Sequence, residues 1–425
     1  MNSQQLLTEV QFGKYDPTLI RLYGEERLIQ AKQRILELCE GFSTLFNPAA
    51  DVVLISAPGR TEVGGNHTDH QRGRVLAAAV HMDVLCLASR NASSIVSIRS
   101  DGFEIQDVDL NDLDVRATEK FTSESLIRGV AARLTQLGYS TGGFDCVIHS
   151  TVLKGSGISS SAAFEVALGS IFNHLFNQAS IDAPTIAKIG QYAENVHFGK
   201  PCGLMDQMAS SVGGFVAIDF FDKENPEVKK VSFDFKNSGF SLCIVDTGSS
   251  HADLSDEYAG FPIEMKAVAR CFNQEVLSEV QPGRFFNDIP RLRSEVGDRA
   301  ILRALHFFQE TDRVLLEVDA LSNGDFDAFL DLIIESGRSS YMYLQNVFVP
   351  GQTRQQSLAL ALSLSESYLK GRGAWRVHGG GLAGTIQAIV KNEDLPGYCA
   401  MMEDVFAKGS CHVMRLRDEG GYRII

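Results

Sequence analysis

The chain has 425 residues, 44% hydrophobic and 22% charged, with a formal net charge of -14 and a pI of about 5.2. That length allows two or three domains with substantial cores, and the acidic balance argues against nucleic acid or an anionic membrane surface as a partner. No apolar run approaches the ~18 residues a membrane helix needs, and the opening "MNSQQLLTEVQFGKYD" lacks the basic and apolar regions of a secretory leader, so a cytoplasmic location is expected. Eight cysteines stand at 39, 86, 146, 202, 243, 271, 399 and 411, with no CxxC and no Cys/His spacing suited to zinc; free thiols in a reducing compartment are expected.

In chain order, residues 17–46 read as a helix ending near Gly41. "DVVLISAP" is apolar and β-branched, a buried strand that Pro58-Gly59 should stop. "VLCLAS", "SIVSIRS" and "FEIQDVDL" follow as strands, with Asp101-Gly102 as a hairpin turn between the last two. Next come a helix ("SLIRGVAARLTQLG"), a strand ("FDCVIHSTV"), a glycine-rich loop and a helix ("SSSAAFEVALGSIFNHLF"). Pro184 suits the first turn of another helix, with an apolar stripe of Ile186, Ile189, Ala193 and Val196. "GFVAIDF" and "FSLCIVDT" are strands on either side of a charged loop, "DKENPEVKK", which suggests a boundary dividing 1–235 from 236–425. The second half is mainly helical to residue 371 and closes with a strand ("GTIQAIV"), a helix ("GYCAMMEDVFAKG") and a strand ("HVMRLR"). Mixed elements with a hairpin give an α+β class with a partly antiparallel sheet.

Four segments have the composition of chemistry. In "KGSGISSSAAFE" a strand, two glycines and three serines open a helix, where unpartnered amides and the helix dipole favour an anion; a serine-capped helix after an ordinary loop is the other reading. In "AENVHFGKPCGLMDQMASSVGG", Glu194 borders the buried face of its helix and Asp206 follows a tight Pro201-Cys202-Gly203 turn. One acid is suited to Mg²⁺ and the other to accepting a proton, unless either is a solvated group or a cap. "WRVHGGGLAGTIQAIV" places three glycines between extended segments, either for a close approach or as a flexible hairpin. "GGNHTDH" lacks a third ligand for a metal beside its two histidines. It reads as a polar turn or as a polyol-binding turn, with Arg60 upstream as a positive charge.

Together, "APGRTEVGGNHTDH", "GSGISSSAAFE" and "HGGGLAGT" resemble the three motifs of the GHMP small-molecule kinases. The first is similar to the galactokinase pattern G-R-V-N-L-I-G-E-H-T-D-Y, and "CGLMDQ" and "GSSHADLSDEY" also resemble galactokinase segments. The resemblance runs in order from about residue 45 to 390. It implies two α+β domains, the first like a domain of ribosomal protein S5 and the second ferredoxin-like, with the active site between them. It implies transfer of the γ-phosphoryl of MgATP to the anomeric hydroxyl of galactose by a monomeric enzyme. Asp206 then matches the catalytic base and Arg60 its partner. Ser161 and Glu194 match Mg²⁺ ligands, and Gly155, Ser156, Gly157, Ser159, Ser160 and Ser161 the phosphate loop of the ATP site. Asn66, His67, Asp69, Gly203 and Tyr258 match sugar contacts.

The sequence departs from the pattern at four places. Asn66 replaces the family's glutamate, which faces the 6-hydroxyl of galactose; loss of that charge makes galacturonate an alternative acceptor, and "DHQ" at 69–71 is also similar to galacturonokinases. Glu62 replaces asparagine. The aromatic residues near adenine are not found around "FTSESLIRGV", and a Ser-His pair reads Ser339-Ser340. A non-catalytic sugar sensor is the reading from another class, and the retained Ser160-Ser161-Ala162, Glu194 and Asp206 argue against it.

Overall fold

The computed structural model describes every residue except 101, 103, 153–157, 223 and 250–253. The Asp101 side of the suggested hairpin turn, and Gly155, Ser156 and Gly157 of the suggested phosphate loop, lie outside the described residues.

Three helices open the chain: α1 (Ser3–Gln11), α2 (Asp16–Tyr23) and α3 (Leu28–Leu45). The stretch expected as one helix is thus broken by a 3₁₀ turn at Glu25–Arg27. It also runs past Gly41, because Phe42 is fully buried in the α1–α3 core. β1 (Val53–Gly64) does not stop at Pro58-Gly59 as expected. Its pairing with β2 (Arg74–Arg90) shifts register between Pro58 and Arg60, and a bulge absorbs the missing proline N–H. β3 (Ile95–Ser100), β4 (Val108–Asp109), α4 (Ser123–Gln136), β5 (Phe144–Ser150) and α5 (Ser160–Phe176) follow. Of "FEIQDVDL", only the two residues of β4 pair with β3.

α6 (Ala183–Tyr192) carries Pro184 in its first turn, as expected, and widens into a π turn at Ala193–Phe198. The extra residue in that turn rotates the stripe. Ile186, Ile189 and Ala193 are buried, but Val196 faces solvent and Glu194 is buried in its place. α7 (Met205–Val212), β6 (Phe215–Asp219) and β7 (Glu227–Val231) come next. β7 corrects the expected charged loop: "EVKKV" pairs along β6, with Glu227, Lys229 and Lys230 exposed and Val231 buried. The second half comprises β8 (Phe240–Asp246), α8 (Ser255–Arg270), α9 (Pro282–Glu295), α10 (Asp298–Ser322), α11 (Phe326–Ser339), α12 (Ser357–Leu369), β9 (Gly373–Val377), β10 (Thr385–Lys391), α13 (Leu395–Phe406), β11 (Cys411–Met414) and β12 (Tyr422–Arg423).

The strands form two sheets. The larger has the order β12-β1-β2-β5-β3-β4, with β6 and β7 continuing from β2; the smaller is β11-β8-β10-β9. All described pairings are antiparallel except β3 with β5. The strand period of two sorts their side chains. Val53 and Ile55 face α4 and α5, whereas Leu54, Leu85 and Leu87 face α3. In the smaller sheet, Leu242 and Ile244 point toward α11, while Cys243 and Val245 point toward α12 and α13. This is the α+β architecture expected from the sequence. It brings the end of β1, the starts of α5 and α7, and the loop between β9 and β10 to one place.

Candidate active site

The β1 bulge aims Arg60 inward, where it is 7% exposed. Its Nε and a terminal guanidinium nitrogen each lie 2.7 Å from Asp206 Oδ1. Asp206 sits in the first turn of α7, where the helix dipole favours a carboxylate. Its other oxygen, Oδ2, accepts a short hydrogen bond from Ser159 Oγ. Ser159 precedes α5 in the left-handed conformation (φ 59°), and its side chain caps no helix amide because it is turned to Asp206. A non-glycine residue held there costs of order 1 kcal/mol, and such positions cluster at functional sites. Sequence reasoning assigned Ser159 to phosphate alone and missed its bond to the acid.

A second carboxylate lies deeper. The π turn turns Glu194 inward, where Oε1 accepts from Ser161 Oγ at 3.1 Å and from Lys200 Nζ at 3.3 Å. Gln207 Nε2 divides its two hydrogens between Glu194 Oε2 (2.8 Å) and Glu165 Oε2 (2.9 Å). Burial pushes Glu165 well above the usual carboxylate range, and the Glu194 charge adds to that, which favours the neutral form of Glu165. Ser161 and Glu194 are hard oxygen donors converging on one point and fit Mg²⁺. The Lys200 side chain, more than half exposed, is the cation that would have to swing aside.

The expected sugar turn packs against the triple glycine. His67, also left-handed (φ 57°), donates from Nε2 to Gly380 O at 2.8 Å and tilts over Phe261 at 4.5 Å between ring centroids. Burial lowers it to about 4, so the ring is neutral with Nδ1 as an acceptor. Tyr258 donates to Gly381 O at 2.5 Å, and a Cβ on Gly380 would come within 2.6 Å of the Tyr258 ring. The glycines therefore serve a close approach, and a flexible hairpin does not describe them. Asp69 Oδ1 accepts from the His70 amide at 2.8 Å. Burial, and then the Asp206 charge, raise Asp69. A Cβ on Gly203 would lie 2.5 Å from Asp69 Oδ2.

Asn66, matched to a sugar contact, makes its side-chain bonds to protein groups. It is fully buried and its amide is taken up by protein. Nδ2 donates to Glu62 Oε1 (2.9 Å) and Gly379 O (2.7 Å), and Oδ1 accepts from Ser340 Oγ (3.2 Å) and Asn346 Nδ2 (2.8 Å). No donor or acceptor of that amide is left over for a ligand. Glu62 Oε1 also meets Arg376 at 2.7 Å, and Arg376 donates to Val63 O at 2.6 Å. Burial raises Glu62, with Arg376 opposing the rise. The negative charge absent at 66 is thus present at 62, already paired. Ser339 has a role as well: its hydroxyl donates to His306 Nδ1 at 2.8 Å, while His306 Nε2 donates to Asn66 O at 2.8 Å.

The structure therefore brings Arg60, Ser159, Ser161, Glu194 and Asp206 together, with His67 and Asp69 on the adjoining turn, Gly203 against Asp69 and Tyr258 of α8 against the same glycine loop as His67. The model of the GHMP kinases N terminal domain matches residues 125–214, spanning α4 through α7, and the galactokinase galactose-binding signature matches residues 40–90. The chain thus resembles the galactokinase-like GHMP kinases. Galactokinase of Lactococcus lactis, solved with galactose, is similar over 90% of this chain and 98% of its own, with 22% identity and a TM-score of 0.76. Mevalonate kinase of Methanococcus jannaschii is similar over 87% and 99%, with 14% identity and a TM-score of 0.61. Phosphomevalonate kinase of Streptococcus pneumoniae is similar over 86% and 99%, with 12% identity and a TM-score of 0.59. At these identities the likeness shows the GHMP kinase fold. No helix among the described residues is long and apolar enough to cross a membrane.

Proposed function

We propose that this kinase transfers the γ-phosphoryl of ATP to the anomeric hydroxyl of galactose, giving galactose 1-phosphate. The observation that carries the reading is the Asp206 carboxylate at the start of α7, fixed by Arg60 on one oxygen and on the other by Ser159, which precedes α5, with Asp69 near enough to feel its charge. Asp206 accepts the proton of the attacking hydroxyl. Arg60 favours the alkoxide form and offsets charge on the transferring group. Positioning of this kind supplies most of the catalysis in phosphoryl transfer. The uncapped first-turn amides of α5, with Ser160 and Ser161, face the nucleotide phosphates. When bound at Ser161 and Glu194, Mg²⁺ offsets the phosphate charge. Phe121, two-thirds exposed and edge-on to Phe198, is the aromatic that the "FTSESLIRGV" stretch offers to a base.

His67, Asp69, Gly203 and Tyr258 position the sugar. Galacturonate is the alternative acceptor; the protein bonds that occupy the Asn66 amide favour galactose over it. The test is turnover by the purified protein with MgATP and a panel of sugars. Galactose is expected to give the highest kcat/KM, and turnover restricted to galacturonate would overturn the assignment. Sugar binding with no phosphoryl transfer to any acceptor would favour the sensor.

A further inference from the structure

Cysteines look scattered along the chain, yet the fold gathers three of them far from the kinase site. Cys243 lies on β8, Cys411 on β11 and Cys399 on α13, with all three sulfurs within 4.8 Å of one another. The register explains the pairing on the sheet. Cys411 stands opposite Val245 and Val413 opposite Cys243, so the two cysteines are diagonal neighbours on one face. That face carries α13, whose Tyr398 and Met402 pack into the core and leave the adjacent Cys399 at its edge. Cys399 Sγ and Cys411 Sγ are 3.4 Å apart.

We propose that Cys243, Cys399 and Cys411 form a three-thiolate site for one thiophilic d¹⁰ cation, Zn²⁺ or Cu⁺. Thiolates select these ions over Mg²⁺ and Ca²⁺. With metal–sulfur bonds of about 2.3 Å, the sulfurs around one ion must lie about 3.8 Å apart in tetrahedral geometry and about 4.0 Å apart in a trigonal plane. The 3.4 Å between the Cys399 and Cys411 sulfurs, and the 4.8 Å within which all three lie, are close to those values. Cysteines that merely fill a core behave as small apolar groups and have no reason to converge from three elements. Cys243 is buried, whereas Cys399 and Cys411 are part-exposed, which gives an ion a way in. Glu403, one turn after Cys399 on the same helix face, is near enough for its charge to act on the Cys411 thiol. It offers an oxygen, or holds a water, for the fourth position that Zn²⁺ requires. The site lies on the face of the smaller sheet away from α11, so it acts on the stability of that sheet and not on the chemistry at Asp206.

The test uses the full chain, fully reduced and stripped with a chelator. It is titrated with Zn²⁺ and, under anaerobic conditions, with Cu⁺, each against a chromophoric competitor; Cd²⁺ serves as a reporter through thiolate charge-transfer absorption. One equivalent of Zn²⁺ or Cu⁺ is expected to bind and to shield three of the eight thiols from a thiol reagent. Cys399→Ser should weaken that binding at least about 100-fold, more than loss of an outer-shell partner, and leave sugar phosphorylation unchanged. Cys271→Ser, a part-exposed cysteine elsewhere, should leave binding intact. Absence of stoichiometric binding, equal loss in Cys271→Ser, or unaltered binding in both Cys399→Ser and Cys243→Ala would overturn the site. A Cys399–Cys411 disulfide with no cation uptake after its reduction would do so as well.

Discussion

Asp206 is the residue on which turnover should depend most. A general base contributes roughly 10²–10⁴ in rate, so Asp206→Asn is expected to lower kcat by that range. The amide keeps an acceptor for Arg60, and the sugar's dissociation constant by calorimetry should change little. A kcat within a few-fold of the parent would remove Asp206 from its role. Asp206, Arg60, Ser161 and Glu194 could all be picked out from the sequence because each lies inside a short motif whose spacing carries its chemistry. Asn66 could not. Whether a side chain at that position reaches a ligand depends on Ser340, Asn346 and His306, which lie some 240–280 residues away. Local pattern has no access to partners at that separation, and the same holds for the cysteines at 243, 399 and 411.

Pairs of elements set the next scale. Glu62 on β1 and Arg376 on β9 join the two sheets through an ion pair that is almost wholly buried. Removing one member of a buried pair leaves an uncompensated charge and costs about 3–5 kcal/mol. Arg376→Met should therefore lower stability by that amount in urea titrations. Adding Glu62→Gln to it should restore part of the loss, because the stranded carboxylate is gone. Additive losses would mean that the pair is not coupled. Gly203 makes a second test between elements. Gly203→Ala places a methyl group where the Asp69 carboxylate now lies, and a displacement near 1 Å in a positioning group costs about 100-fold in rate. A fall of that order in kcat/KM for the sugar is expected, with folding intact by circular dichroism; unchanged kinetics would take Asp69 out of the site. Helices and strands were largely legible at this scale from apolar period. The exceptions arose where geometry absorbs one extra residue: the bulge that carries β1 past Pro58, and the π turn that exchanges Val196 for Glu194. Periodicity presumes a constant residue count per turn, so it misses the very insertions that bring Arg60 and Glu194 into the cleft.

The whole molecule adds constraints that no segment carries alone. We propose that the chain divides near residue 235, with β12 returning from its far end to pair with β1. That return was not legible, because two residues are too short for a pattern. Histidine burial has a further global consequence. Burial is the leading cause that lowers eight of the ten histidines, 67, 70, 81, 174, 197, 306, 378 and 412, with His67 brought to about 4 and His81 and His378 to about 3. Unfolded histidine titrates near 6.5. Between that pH and about 4 the unfolded chain takes up protons that the folded chain refuses, so stability is full above pH 6.5 and declines as pH falls. Four buried carboxyls oppose this. Glu62, Asp69, Glu165 and Glu317 are raised by burial and bind protons in the fold that the unfolded chain has released. Near pH 7 an unfolded histidine is only about a quarter protonated and the four carboxyls offset the eight; below about pH 6.5 the histidines outweigh the carboxyls, and each uncompensated histidine contributes up to about 1.4 kcal/mol per pH unit. The urea midpoint should therefore fall from about pH 6.5 to pH 5. His81→Gln, which removes one such group away from the active site, should make the fall shallower. A midpoint that stays level or rises toward pH 5 would show that the histidines are protonated within the fold.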